Sequence, residues 1–145
     1  MNKDEFLAQY KACGKIEDMA DEELAKVIQN AMDVELNTIR PIPYRGGLDQ
    51  SVTYSYPELT ANCPMTQIQD LYKVDIIFTP DKYIPELKSL KFYFLDYIGL
   101  PISHEHLQAK IYRDFKDAVK PKQLEVRLDV AVRGGIKTDI VYKSE

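Results

Sequence analysis

Tyr72-Lys-Val-Asp-Ile-Ile-Phe-Thr-Pro-Asp81 runs directly into Lys82-Tyr-Ile-Pro-Glu-Leu-Lys-Ser-Leu-Lys-Phe-Tyr-Phe-Leu-Asp-Tyr-Ile98, and the apolar period changes between the two halves. In the first half Tyr72, Val74, Ile76 and Phe78 alternate with Lys73, Asp75 and Ile77, the two-residue period of a half-buried strand. Pro80-Asp81 is a turn signal that closes it. In the second half Leu87, Leu90, Phe94 and Ile98 fall on one side of a helix expected from Glu86 to Tyr97, with Gly99 and Pro101 as the stop.

The same alternation of signals extends outward. Upstream, Val52, Tyr54 and Tyr56 face away from Ser51, Thr53 and Ser55, which predicts a strand. Downstream, a second helix is expected from about His104 to Val119, with Leu107, Ile111, Phe115 and Ala118 inward and Pro121 beyond its end. Leu124, Val126, Leu128 and Val130 then alternate with charged residues. After Arg133-Gly134-Gly135, whose glycines suit a hairpin turn, Ile136, Thr138, Ile140 and Tyr142 alternate again. The order strand, strand, helix, helix, strand, strand predicts an α+β fold: an antiparallel four-stranded sheet with two helices on one face.

Before this module the pattern is helical. Met1 to Cys13 carries Phe6 and Tyr10 and ends at Gly14, and Asp21 to Leu36 repeats Leu24, Val27, Ile28 and Ala31 behind an acidic start. Arg40-Pro-Ile-Pro-Tyr-Arg-Gly-Gly47 cannot continue a helix. Residues 1–48 are therefore expected to be a helical extension and linker, and residues 49–145 the main module.

The chain has 145 residues, two cysteines and a net charge of −4. That length suffices for one core without disulfide or metal staples. Cys13 and Cys63 are far apart and no apolar run reaches the length of a membrane span, so a reduced, cytoplasmic protein is expected. Lys and Arg are interleaved with Asp and Glu, leaving no sustained basic stripe for a phosphate backbone. A small molecule is the expected ligand, with no direct nucleic acid and no membrane.

Chemistry concentrates in Cys63-Pro-Met-Thr-Gln-Ile-Gln-Asp70. A thiol attacks an electrophilic carbon only as the thiolate, and the adduct needs an acid to protonate the atom that takes up charge. Cys63 and Asp70 read as nucleophile and proton donor on one loop. From these residues alone, Cys63 reads rather as an inert packing residue, and Asp70 has the alternative of a cap at the start of the strand.

From about Asp49 onward the chain resembles the unimodular 7-cyano-7-deazaguanine reductases, the QueF family of NADPH-dependent nitrile reductases of queuosine biosynthesis, a tRNA modification. The residues that carry the resemblance are Tyr56-Pro-Glu-Leu-Thr-Ala-Asn-Cys63-Pro64, Asp70, Glu86-Leu-Lys-Ser-Leu-Lys91 with Tyr93, His104-Glu105 and Arg133-Gly-Gly135. The resemblance implies the tunnelling fold (T-fold), a homo-oligomer with interfacial sites, and reduction of the nitrile to the aminomethyl product through a Cys63 thioimide. It implies that Cys63, Asp70 and His104 are catalytic. Pro85, Glu86, Leu87, His104 and Glu105 are then substrate-binding, and Lys88, Ser89 and Lys91 hold NADPH. Physically, a carboxylate such as Glu105 suits the two-donor edge of a deazaguanine, and two lysines at a helix start suit phosphates. The carboxylate also fits plain helix stabilisation, and the lysines also fit a solvated helix face with a Glu86 to Lys91 charge pattern. No zinc site is expected, since His104 and His106 are two apart and point to different sides of a helix.

Thr66-Gln-Ile-Gln-Asp70 departs from the Thr-Gly-Gln-Pro-Asp common in that family, losing a glycine and a proline while keeping the spacing to Cys63. Phe92 stands where Leu or Tyr is usual. Two other readings share the scaffold. One is an amidinotransferase-like enzyme in which ammonia attacks the thioimide, disfavoured by the retained Glu86 to Lys91 motif. The other is a non-catalytic purine- or pterin-binding oligomer.

Overall fold

Four long antiparallel strands, the two helices that cover one face of them and the connections between these position most of the candidate site residues. The structure is a computed structural model and describes all residues, Met1–Glu145. In chain order it contains α1 (Lys3–Ala12), a 3-10 turn (Ile16–Asp18), α2 (Asp21–Asp33), β1 (Pro41–Pro43), β2 (Val52–Asn62), β3 (Gln69–Thr79), β4 (Tyr83–Pro85), α3 (Leu87–Leu95), α4 (His104–Val119), β5 (Gln123–Arg133) and β6 (Ile136–Lys143). The main sheet has the order β2-β3-β5-β6, with every neighbouring pair antiparallel. This is the expected ββααββ arrangement, a T-fold.

Period two decides which face is buried. Tyr72, Val74, Ile76 and Phe78 of β3 and Leu124, Val126, Leu128 and Val130 of β5 are buried. Against them lie Leu107, Ile111 and Phe115 of α4, the last with its ring 5.1 Å from that of Phe78, edge to face. Fully burying side chains of this size stabilises the fold by roughly 1.5–3 kcal/mol each. At the end of α4, Val119 is buried while Ala118 is half-buried.

Two register shifts interrupt the ladders of this sheet. In β2 the pairing with β3 shifts between Tyr56 and Leu59, at Pro57-Glu58, where proline has no N–H for the ladder. The inward positions change there from Val52, Tyr54 and Tyr56 to Leu59 and Ala61. In β5 the pairing with β6 shifts between Val130 and Arg133, just before a two-residue turn in which Gly134 and Gly135 have φ of 59° and 80°.

Three expectations need correction. The inward stripe of α3 is Leu90, Tyr93 and Phe94, continued by Tyr97, whereas Leu87 and Ile98 are 57% and 51% exposed. The helix stops at Leu95, so Ile98 lies beyond the stripe. The two buried tyrosines keep partners for their hydroxyls, with Tyr93 2.6 Å from Tyr97 and donating to Asp114 at 2.8 Å. Next, the proline-rich run expected only to link contains β1, which pairs with β4 through Ile42 and Ile84. Finally, Asp70 lies inside β3, paired with Ala61, and not on the Cys63 loop.

The N-terminal helices pack into the main core. Phe6, Ala31, Val34 and Ile39 share one apolar cluster with the buried residues of the sheet and of α4. No helix is long and apolar enough to cross a membrane.

Candidate active site

Cys63 begins the short connection from β2 to β3 and is half-buried. The loop closes on itself: the Cys63 amide donates to Ile68 O at 2.9 Å and the Gln67 amide to Cys63 O at 2.8 Å. Gln67 has φ of 61°, a left-handed conformation that suits glycine. The backbone bend that glycine would adopt freely is thus present here with a side chain on it.

The loop is folded so that donors face the sulfur. Burial and the Asp70 charge push the Cys63 thiol up, but the Thr66 hydroxyl and the amides of Thr66 and Met65 outweigh them, and its pKa is lowered from the ordinary value. A lowered thiol pKa gives more thiolate at a given pH, which is what a nucleophile requires. Cys13, the other cysteine, is exposed at the end of α1.

Asp70 is only 4% exposed because β3 directs it to the same face as Tyr72. Its carboxylate is paired with the Arg133 guanidinium, which also donates to Gln69 O at 3.3 Å. His104, the first residue of α4, holds Nδ1 4.0 Å from the other Asp70 oxygen and 2.8 Å from the Tyr72 hydroxyl. Burial, followed by the Asp70 and Cys63 charges, drives the Tyr72 pKa far upward, so Tyr72 stays a neutral donor. Glu105 is exposed beside this group and near enough to act on Tyr72. At the same helix start the Ser103 hydroxyl is 2.5 Å from His106 Nδ1 and does not cap α4.

The structure therefore brings Cys63, Asp70, His104 and Glu105 to one end of the sheet. Tyr72 and Arg133 join them, and so does Tyr10 of α1, whose hydroxyl donates to Pro64 O. Arg133 was visible in the sequence only as part of the turn motif. Tyr72 was counted as a core strand residue. Tyr10 lies 54 positions from its partner, and no local pattern signals it.

The start of α3 is a separate place. Glu86 is the N-cap, its carboxylate accepting from the Lys88 amide and from the Ser89 amide at 3.2 Å. Ser89 Oγ donates to Glu86 O at 2.7 Å and accepts from the Arg40 amide at 2.9 Å, while the Glu86 amide donates to Arg40 O at 2.8 Å. Pro85 is buried in the β1–β4 pair. Leu87 and Lys91 line a cleft of about 460 Å³ with residues Thr53 to Glu58 of β2. Along β2, Tyr56 and Cys63 are roughly 20 Å apart at the ordinary strand rise. Pro85, Glu86, Leu87, Lys88, Ser89 and Lys91 do not meet the Cys63 group within one chain.

A T-fold sheet with a loop cysteine and a buried carboxylate at one end defines the class of protein. The family model described as "QueF-like protein" matches residues 70–145. A protein of Elusimicrobium minutum named NADPH-dependent 7-cyano-7-deazaguanine reductase is 39% identical over 97 residues, covering 67% of this chain and 74% of the relative. Another of that name, from Chloroherpeton thalassium, is 35% identical over 97 residues and is covered to 84% of its length. Among solved structures, the apo archaeosine synthase QueF-Like superposes with a TM-score of 0.61 at 22% identity, over 65% of this chain and 92% of that one. The chain belongs to the QueF-like protein family.

Proposed function

We propose that this chain is an NADPH-dependent 7-cyano-7-deazaguanine reductase of queuosine biosynthesis, and that Cys63 carries the substrate as a thioimide. The observation that supports the mechanism most directly is the Cys63 thiol, lowered by its own loop and placed at the same end of the sheet as Asp70. The activity itself rests on the kinship with reductases of that name.

In this reading the Cys63 thiolate adds to the nitrile carbon. A C–S bond forms, one C–N π bond breaks, and the nitrogen takes up the electron pair and a proton. Asp70 passes that proton, with His104 and Tyr72 linking the carboxylate to the pocket. Glu105, exposed at the mouth, accepts from N1–H and the 2-amino group of the base. NADPH supplies the hydride equivalents when bound. Lys88 and Lys91 fit its phosphates, since both are exposed and neither takes part in an ion pair of the chain. The Lys88 and Ser89 amides are already engaged by Glu86, so the two ammonium groups are the charged donors available there. The need for a free thiolate places the reaction in a reducing compartment, the cytoplasm.

The separation of the α3 start from Cys63 supports a site completed by a second copy. One chain supplies Cys63, Asp70, His104 and Glu105, and Pro85 to Lys91 come from its neighbour. The test is stoichiometry. A reductase oxidises two NADPH for each nitrile converted to an amine. Product formation that consumes ammonia and leaves NADPH untouched would establish the amidine-forming alternative in its place.

A further inference from the structure

The N-terminal helix contributes one side chain to the Cys63 loop. Tyr10 is 7% exposed, its ring packed edge to face on Phe6 at 6.2 Å, and its hydroxyl donates to the carbonyl of Pro64. Pro64 has no N–H, so this carbonyl is the only backbone hydrogen-bonding group between Cys63 and Met65. It precedes directly the two amides, Met65 and Thr66, that face the sulfur. The helix itself is fixed at its other end, where Lys3 Nζ donates to Ile98 O at 2.7 Å and the Glu35 amide donates to Met1 O at 2.9 Å. Tyr10 is therefore carried on an anchored element and is not a mobile surface residue.

We propose that Tyr10 is a positioning residue for the nucleophile: by holding the Pro64 carbonyl it keeps the Met65 and Thr66 donors aimed at Cys63. The inference rests on Cys63 being the nucleophile and gives the N-terminal extension, which lies outside the residues matched by the family model, a part in the reaction. Burial and then the Cys63 charge push the Tyr10 hydroxyl above its ordinary value, so it remains a neutral donor throughout the working range. The charged and titratable groups around Cys63 are Asp70 and Tyr72 of β3, His104 and Glu105 of α4, Arg133 of β5 and Tyr10 of α1. Of these, only Tyr10 bonds to the backbone of the loop between Cys63 and Thr66.

Thiol labelling reads this without substrate or cofactor, so its failure is separable from failure of the reductase assignment. In a Cys13→Ala background, the rate of Cys63 alkylation by iodoacetamide is followed by intact mass across roughly pH 6 to 9, the range around an ordinary thiol. Tyr10→Phe keeps the ring and removes the donor. The inflection is expected to move up by roughly half a unit, which leaves about threefold less thiolate below it, with an unchanged melting temperature. Lys3→Ala removes the bond to Ile98 O but leaves α1 held by the Glu35–Met1 backbone bond and by buried Phe6, and is expected to leave the inflection in place. An inflection that does not move in Tyr10→Phe, or that moves equally in Lys3→Ala, would overturn the positioning role and leave Tyr10 as a packing residue.

Discussion

Gln67 holds a backbone conformation that costs an L residue about 1–2 kcal/mol and costs glycine nothing sterically. Glycine loses roughly 0.5–1 kcal/mol in chain entropy, so Gln67→Gly is expected to be neutral or to stabilise by up to about 1 kcal/mol in urea unfolding. A loss of more than that would mean the Gln67 side chain itself holds the loop. The lost glycine was legible in the sequence, but its consequence was not. The loop keeps the left-handed bend because two backbone bonds, Cys63 N to Ile68 O and Gln67 N to Cys63 O, require it. Asp70 was legible as a partner of Cys63 and misplaced onto the loop. Its strand position follows from pairing with Ala61 across the sheet, a long-range fact. Beside it, Glu105 makes a separate prediction. Glu105→Gln turns one acceptor into a donor facing a donor, and should weaken binding of the cyano base by about 2 kcal/mol, roughly thirtyfold by calorimetry. Unchanged affinity would reduce Glu105 to a helix-start charge.

At the scale of elements, α3 combines a cap with a candidate cofactor surface, and substitution separates the two. Glu86→Ala removes the acceptor for the first amides of the helix and should lower stability by about 1 kcal/mol. Lys88→Ala and Lys91→Ala touch no ion pair and should stay within about 0.5 kcal/mol of the parent while raising the KM for NADPH several-fold. Equal KM values for the two lysine variants and the parent would remove α3 from cofactor binding. The long elements were readable because their periods are sustained: His104 to Val119 was anticipated at both ends, and Tyr72 to Phe78 lies within β3. The β1–β4 ribbon was not, because three-residue strands containing prolines have no period to read. The inward face of α3 was misread at Leu87 and Ile98 because aliphatic spacing alone fits two neighbouring stripes, and the helix ends at Leu95 with the stripe through Tyr93 buried. Tyr93 and Tyr97 are buried with their hydroxyls satisfied in a pair that ends on Asp114.

For the whole molecule, the sheet ends in β2 on one side and β6 on the other, and both edges leave backbone donors and acceptors unpaired. Val132, Ile136, Val141 and Tyr142, on or beside the β6 edge, are exposed. Edge-to-edge pairing of copies would satisfy these groups, and a ring would bring the α3 start of one chain toward Cys63 of another. Light scattering is therefore expected to give a multimeric mass, and a fully active monomer at micromolar concentration would contradict it. The succession of strands and helices along the chain was legible, whereas the gathering of Tyr10, Tyr72 and Arg133 around the Cys63 loop was not, since each arrives from a different element. The most direct test of the account is intact-mass measurement after mixing the protein with 7-cyano-7-deazaguanine in the absence of NADPH. The expected result is one substrate mass added per subunit, present in Cys13→Ala and absent in Cys63→Ala. An adduct that survives in Cys63→Ala, or none in the parent protein, would contradict the thioimide and with it the role assigned to Cys63.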